Sequence, residues 1–237
     1  EPLSPCEAED VPMVFTGSSG RKCSLRDYQR DGVRWLRYNY TQARSVILGD
    51  EMGLGKTAQS VAMLHCLRNF HAVSGPFLII APLSTIQHWQ REVNDWTDLY
   101  GVVFHGNEDA RTVLFDFEWS SRPRAGKAKT WGSSLATPKF DVCITTYETF
   151  VQCVESFKKV EAWAYVVLDE AHRLKNKFGK AIAAVQALGT VPTLALTGTP
   201  LQNHVGELWT MLNLLDEPSF PSCDAFIELY GDCLLYT

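Results

Sequence analysis

The stretch Gly49-Asp50-Glu51-Met52-Gly53-Leu54-Gly55-Lys56-Thr57 constrains the fold more tightly than any other part of the chain. A β-rich run, Ser45–Gly49, leads into it and a helical run, Lys56–Phe70, leads out, so it is a strand-to-helix turn. Glycines at 53 and 55 permit backbone angles that aim successive N–H groups at one point, and the helix opening at Lys56 adds its positive dipole end there. Such a turn suits a polyphosphate: Lys56 reaches the β- and γ-phosphates and the Thr57 hydroxyl takes Mg²⁺. Gly53, Leu54, Gly55, Lys56, Thr57 and Ala58 are therefore the candidate cofactor-binding residues, with ATP and Mg²⁺ as the implied cofactors. The general pattern begins with glycine where this chain carries Asp50. The bland alternative, a Gly-rich turn that binds nothing, is disfavoured by the Gly-Lys-Thr ending.

Around this turn, short β-rich runs alternate with helical ones. After Ser45–Gly49 come Phe77–Ala81, Gly101–Phe104, Val142–Thr145, Tyr165–Leu168 and Thr193–Thr197, with helical spacing over Leu25–Tyr40, Lys56–Phe70 and Ser84–Trp96. Alternation of this kind predicts a mostly parallel sheet with helices on both faces, an α/β fold. Phe77-Leu78-Ile79-Ile80 and Val166-Val167-Leu168 are continuously apolar, as strands covered on both faces should be. With 237 residues, 46% of them hydrophobic, one such domain is the expected size. Residues 1–22, rich in Pro, Ser and Gly, read as an extended lead-in, with regular structure beginning near Leu25 and the main lobe running from 23 to 221 before a C-terminal segment, 222–237. Ser120 to Lys139 carries Arg122, Arg124, Lys127, Lys129 and Lys139 with no acidic residue, and reads as a surface insertion, either simply solvated or in contact with a polyanion.

The net charge of −5 excludes a surface that is basic all over, so any nucleic-acid contact must come from locally placed donors. The seven cysteines are scattered, with no CxxC or Cys/His pair at metal-ligand spacing, which predicts reduced thiols and an intracellular protein. No apolar run approaches the roughly 18–20 residues of a membrane span, and no membrane partner is expected.

A second chemical signal is Val166-Val167-Leu168-Asp169-Glu170-Ala171-His172, two carboxylates at the C-terminal end of a buried strand, the edge where open α/β sheets bind ligands. Asp169 is expected to hold Mg²⁺, and Glu170 to orient and deprotonate an attacking water, making Lys56, Asp169 and Glu170 the candidate catalytic set. Alone, an Asp-Glu pair after a strand is as readily a helix N-terminus stabilised by the dipole. The phosphate-binding turn tips the balance towards catalysis.

Several motifs, in order, resemble the helicase-like ATPases of superfamily 2, and specifically the Swi/Snf-type chromatin-remodelling branch, from Leu25 to about Pro221. The resemblance implies a RecA-like three-layer αβα lobe. In Leu25-Arg26-Asp27-Tyr28-Gln29 it makes Gln29 a reader of the adenine edge. In Ala81-Pro82-Leu83-Ser84-Thr85-Ile86, followed by Trp89, it implies that Pro82 and Ser84 touch DNA phosphates, although Ser84 or Thr85 equally suits a helix cap. In Ile144-Thr145-Thr146-Tyr147-Glu148 it implies DNA contact by Thr145 and Thr146, residues that otherwise suit an ordinary turn. Thr197-Gly198-Thr199-Pro200-Leu201-Gln202-Asn203 is the most branch-specific feature, since RNA helicases usually carry Ser-Ala-Thr there. It implies that His172, Thr197, Gly198 and Thr199 couple the nucleotide site to lobe movement. Arg173-Leu174-Lys175-Asn176 is similar to the same branch, and Gly75–Thr85 with Trp89–Glu92 and Val102–Gly106 look most like its chromodomain-helicase-DNA-binding class.

In that family a second helicase lobe supplies an arginine finger, and nothing after Thr237 provides one, so the chain is read as one lobe of a two-lobed motor. A finger is worth about 10³–10⁵ in turnover, which predicts near-inactivity for this lobe alone. The implied partners are double-stranded DNA, nucleosomes and the second lobe, the implied location is the nucleus, and no oligomer is implied. An RNA helicase lobe and a non-catalytic nucleotide-dependent binding module are the alternatives.

Overall fold

The computed structural model of the protein describes residues 11–119, 138–160, 162–174, 179–198 and 205–234. Regular structure begins ahead of Leu25, because strand β1 (Val14–Thr16) pairs antiparallel with β2 (Lys22–Ser24). This pair rests on a helix distant in sequence: Gly17 N–H donates to the Asp95 carbonyl at 3.1 Å and Ser18 N–H to the Thr97 carbonyl at 2.9 Å. Three-residue strands held by tertiary contact leave little periodicity to read, so the sequence pattern does not announce them.

The chain then runs α1 (Asp27–Thr41), β3 (Val46–Leu48), α2 (Lys56–Phe70), β4 (Phe77–Ala81), α3 (Ile86–Trp96), β5 (Gly101–Phe104), α4 (Glu108–Phe117), β6 (Val142–Thr146), α5 (Tyr147–Gln152), α6 (Val154–Phe157) and β7 (Tyr165–Leu168). A 3₁₀ turn (Ala171–Arg173), α7 (Gly179–Gln186), β8 (Thr193–Leu196), α8 (Val205–Leu215) and α9 (Cys223–Leu234) complete it. Six strands form one sheet in the order β3-β8-β7-β4-β6-β5, and every pairing is parallel. The α/β reading therefore holds, with a sheet that is wholly parallel.

Side-chain alternation along the strands divides the core into two slabs. Phe77 and Ile79 of β4, Val142 and Ile144 of β6, and Tyr165 and Val167 of β7 face the slab closed by Val33 and Leu36 of α1, Leu64 of α2 and Trp89 of α3. Leu78, Ile80, Cys143, Val166 and Leu168 face the opposite slab, closed by Tyr147 and Phe150 of α5, Phe157 of α6 and Ala181 of α7. Because both faces are covered, these strands carry no polar alternation. Among the described residues Cys23, Cys66, Cys143, Cys153 and Cys223 form no disulfide, in keeping with their scattered spacing. Burial pushes the Cys143 thiol well up from its ordinary range, making it an inert core side chain.

Parallel order has one consequence for function. All six strands end at the same edge, so the loops after β3, β4, β6, β7 and β8 converge there. The central strand should dominate stability: Ile79, with no exposed surface, becoming alanine is expected to cost about 2–5 kcal/mol in urea unfolding. A loss below about 1 kcal/mol would contradict its place at the centre of the core.

Candidate nucleotide site at the carboxyl edge of the sheet

The turn after β3 has the backbone that its glycines allow. Gly53 and Gly55 both adopt left-handed angles, φ +86° and +80°, and Gly55 is the N-cap of α2. A Cβ at 53 would meet nothing within 4 Å, whereas one at 55 would run into the Gln29 side-chain amide. Gln29 is buried beneath the turn: its Oε1 accepts from Arg26 N–H at 2.9 Å and its Nε2 donates to the Leu54 carbonyl at 3.1 Å. Tyr28 supports the same carbonyl, its hydroxyl donating at 3.2 Å.

Lys56 folds back over its own turn, Nζ donating to the carbonyls of Asp50 at 2.6 Å and Glu51 at 3.1 Å. An ammonium with three donors takes whatever acceptors surround it. Thr57 lies half-buried in the first turn of α2, next to the buried Ala58. Asp50, the departure from the glycine pattern, ties the turn to α2, because its Oδ2 accepts from Gln59 Nε2 at 2.9 Å.

The carboxylates after β7 lie on the same edge, with β8 alone between β7 and β3. Two strand spacings put the ends of β3 and β7 about 10 Å apart, a span that a triphosphate can bridge. Asp169 is fixed from four directions. Its N–H donates to the Ile80 carbonyl at 2.8 Å, and its own carbonyl accepts the Tyr147 hydroxyl at 2.7 Å. Its Oδ2 accepts from Trp89 Nε1 at 2.9 Å and Thr85 Oγ1 at 3.1 Å. Glu170 is left-handed, φ +53° and ψ +47°, a conformation that costs a non-glycine residue about 1–3 kcal/mol.

The segment after β8 joins the two halves. Thr197 N–H donates to the Leu48 carbonyl of β3 at 3.2 Å, and the Thr197 hydroxyl lies 3.3 Å from His172 Nδ1. That nitrogen is also 3.2 Å from Glu170 Oε2. A Cβ at Gly198 would stand 2.7 Å from Met52 Cγ and 3.8 Å from Lys56 Nζ, so this glycine allows the strand end to approach the Lys56 turn. His172, Thr197 and Gly198 thus sit between Glu170 and Lys56. Thr199 and residues 200–203, with Lys175, Asn176 and most of the basic insertion (120–137), lie outside the described residues.

Of the residues expected to contact DNA, Ser84 is exposed beside Leu83, which is 60% exposed, while Pro82 is buried. Thr145 and Thr146 are both buried, with their hydroxyls bonded internally. Thr145 Oγ1 donates to the Phe104 carbonyl at 2.8 Å. Thr146 caps α5, its Oγ1 accepting from Thr149 N–H at 3.0 Å and donating to Thr149 Oγ1 at 2.9 Å. Thr85 holds the N-cap position of α3, but its hydroxyl meets the Pro82 carbonyl and Asp169 rather than an N–H of that helix. The Trp89–Asp169 and Thr85–Asp169 contacts escaped sequence reasoning, because no local pattern announces a bond across some 80 positions.

Comparison with known proteins gives concordant matches. Residues 28–233 match the model of the SNF2-related domain. Chromodomain-helicase-DNA-binding protein 6 of Homo sapiens is 43% identical over 210 residues, covering 88% of this chain and 7% of that protein. Chromodomain-helicase-DNA-binding protein 8 of Homo sapiens is 41% identical over 208 residues, covering 88% and 8%. The chain therefore spans less than a tenth of the length of these curated relatives. The solved Sulfolobus solfataricus SWI2/SNF2 ATPase core in complex with dsDNA aligns with a TM-score of 0.68 at 28% identity, over 96% of this chain and 40% of that one.

The two turn glycines should respond differently to a side chain. Gly53→Ala meets the left-handed backbone penalty alone, about 1–2 kcal/mol, whereas Gly55→Ala also displaces the Gln29 amide and is expected to lower the melting temperature further. Equal melting temperatures for the two variants would contradict the packing of Gln29 against the turn.

Proposed function

The chain belongs to the SNF2-related domain family, and from that membership we propose that it is the ATP-binding lobe of a double-stranded-DNA translocase that remodels nucleosomes. The observation that carries the reading is the convergence, at one sheet edge, of the Lys56 turn and the Asp169–Glu170 pair across Thr197 and Gly198. The relatives named for chromodomains, helicase and DNA binding, and the Sulfolobus solfataricus core solved with dsDNA, support duplex DNA as the track, and the first of these also support the nucleus as the place.

In this reading Gln29 reads the adenine edge, and the N–H groups of Gly53 to Ala58 surround the phosphates. Lys56 exchanges the Asp50 and Glu51 carbonyls for phosphate oxygens. The residues fit Mg²⁺, a hard cation that takes one or two protein oxygens and completes its shell with phosphate and water. The Thr57 hydroxyl and Asp169 Oδ1 are suitable donors, the latter free of hydrogen bonds among the described residues. Among those residues no group of His, Cys, Asp or Glu could hold a metal unaided, so nucleotide oxygens are needed to complete the shell. Bound at this edge, the metal supplies charge neutralisation on the phosphate oxygens. Glu170 takes the proton of the attacking water, and the His172 ring beside it passes the state of that carboxylate to Thr197. Phosphate contacts around the exposed Ser84 make the grip largely indifferent to sequence. A second lobe of the whole protein supplies the arginine finger, and this lobe alone turns over slowly.

Two variants of the full-length protein test the assignment. Lys56→Ala should weaken ATP binding at least about tenfold, whereas Glu170→Gln should bind ATP normally and lose about 10²-fold or more in turnover. Turnover should rise with duplex DNA. Stimulation by single-stranded RNA and not by duplex DNA, or full turnover in Glu170→Gln, would overturn the proposal.

A further inference from the structure

Trp89 has no exposed surface, yet its indole N–H is satisfied, and the acceptor is Asp169 Oδ2 at 2.9 Å. Indole nitrogen is a donor only, so its direction dictates where that carboxylate oxygen sits. A second donor from the same segment, Thr85 Oγ1, reaches the same oxygen at 3.1 Å. Both bonds fall on Oδ2, and together they hold the plane of the carboxylate. The other oxygen, Oδ1, has no hydrogen bond among the described residues. A general core-packing role would not require two donors from one segment to converge on a single oxygen of the acidic pair.

Thr85 has a further property. Its single proton has two acceptors at equal distance, Asp169 Oδ2 and the Pro82 carbonyl, both at 3.1 Å. A hydroxyl so placed can pass its bond from one to the other at little cost. Pro82 begins the turn whose next two residues, Leu83 and Ser84, are exposed at the sheet edge, and Thr85 ends it as the N-cap of α3. The same four-residue turn therefore offers one side to solvent and the other to Asp169.

We propose that Trp89 and Thr85 are positioning residues that fix the Asp169 carboxylate for Mg²⁺, and that through them the turn 82–85 links duplex-DNA contact to metal affinity. The inference rests on the nucleotide-site reading above. Partners that orient a metal ligand typically contribute about 10–100-fold to metal affinity, so losing either donor should be felt in binding as well as in turnover. By linkage, if DNA at the turn biases the carboxylate, metal at the carboxylate biases DNA by the same factor.

The test uses the full-length protein, with a fluorescent ATP analogue at fixed concentration and Mg²⁺ titrated, in the presence and absence of a duplex oligonucleotide. In Trp89→Phe the Mg²⁺ midpoint should rise about tenfold, with binding of the analogue in excess chelator unchanged. Thr85→Val, which keeps the side-chain shape, should shift it the same way, and Thr85→Ser should restore it. Duplex DNA should lower the wild-type midpoint and leave that of Thr85→Val unmoved. Since Trp89→Phe disturbs the core, the Thr85 pair decides if that variant fails to fold. Unchanged midpoints in folded variants, beside a Mg²⁺-dependent wild type, would overturn this inference alone. A DNA shift that survives in Thr85→Val would overturn the link to the turn. A wild type that binds the analogue no better with Mg²⁺ than without it would overturn the site reading and this inference together.

Discussion

The hydrogen bond from Thr197 N–H to the Leu48 carbonyl continues the β3–β8 pairing past the last residue of β8, and the site depends on it. On one side, it holds Gly198 against Met52 and Lys56. On the other, it sets the Thr197 hydroxyl near His172, whose ring touches Glu170. A strand inserted between the strand that leads into the Lys56 turn and the acidic strand is thus a bridge that touches both. Parallel pairing makes the bridge possible, because β3, β8 and β7 all present their C-terminal ends on one edge.

That edge stores strain which the core offsets. Glu170 is left-handed without being glycine, and Gly53 and Gly55 hold positive φ. These conformations persist because the flanking strands leave no alternative: Asp169 is bonded through N–H, carbonyl and carboxylate to β4, α5 and the α3 segment. Each such bond contributes only about 0.5–1.5 kcal/mol net, or up to about 3 to a charged group, but their convergence removes the freedom to relax. The two fully covered slabs of the core supply the remaining stability.

The central strands were legible in the sequence because burial on both faces writes itself as an unbroken apolar run. Phe77–Ala81 and Tyr165–Leu168 have the boundaries that those runs suggested, and α2 begins at Lys56, where the glycine turn ends. The turn, the acidic pair and their shared edge followed from the same pattern. What was hidden depended on contacts distant in sequence. The pairing of β1 with β2 rests on the end of α3, and α4 buries none of its residues, so its one local signal was Asn107 capping ahead of Glu108 and Asp109. Thr145 and Thr146 look like surface hydroxyls after a strand, but β6 lies inside the sheet and α5 covers its end, so both hydroxyls turn inward. No pattern in the chain could have announced that Trp89 would reach Asp169.

The proposed function requires the Lys56 turn and the acidic pair to act on one ligand, and a crystal structure with Mg²⁺ and a non-hydrolysable ATP analogue tests that directly. The expected result has Lys56 Nζ released from the Asp50 and Glu51 carbonyls onto phosphate, with the metal between the Thr57 hydroxyl and an Asp169 oxygen. An analogue seated away from the Gly53–Lys56 turn, or a metal held without Asp169, would contradict the shared site.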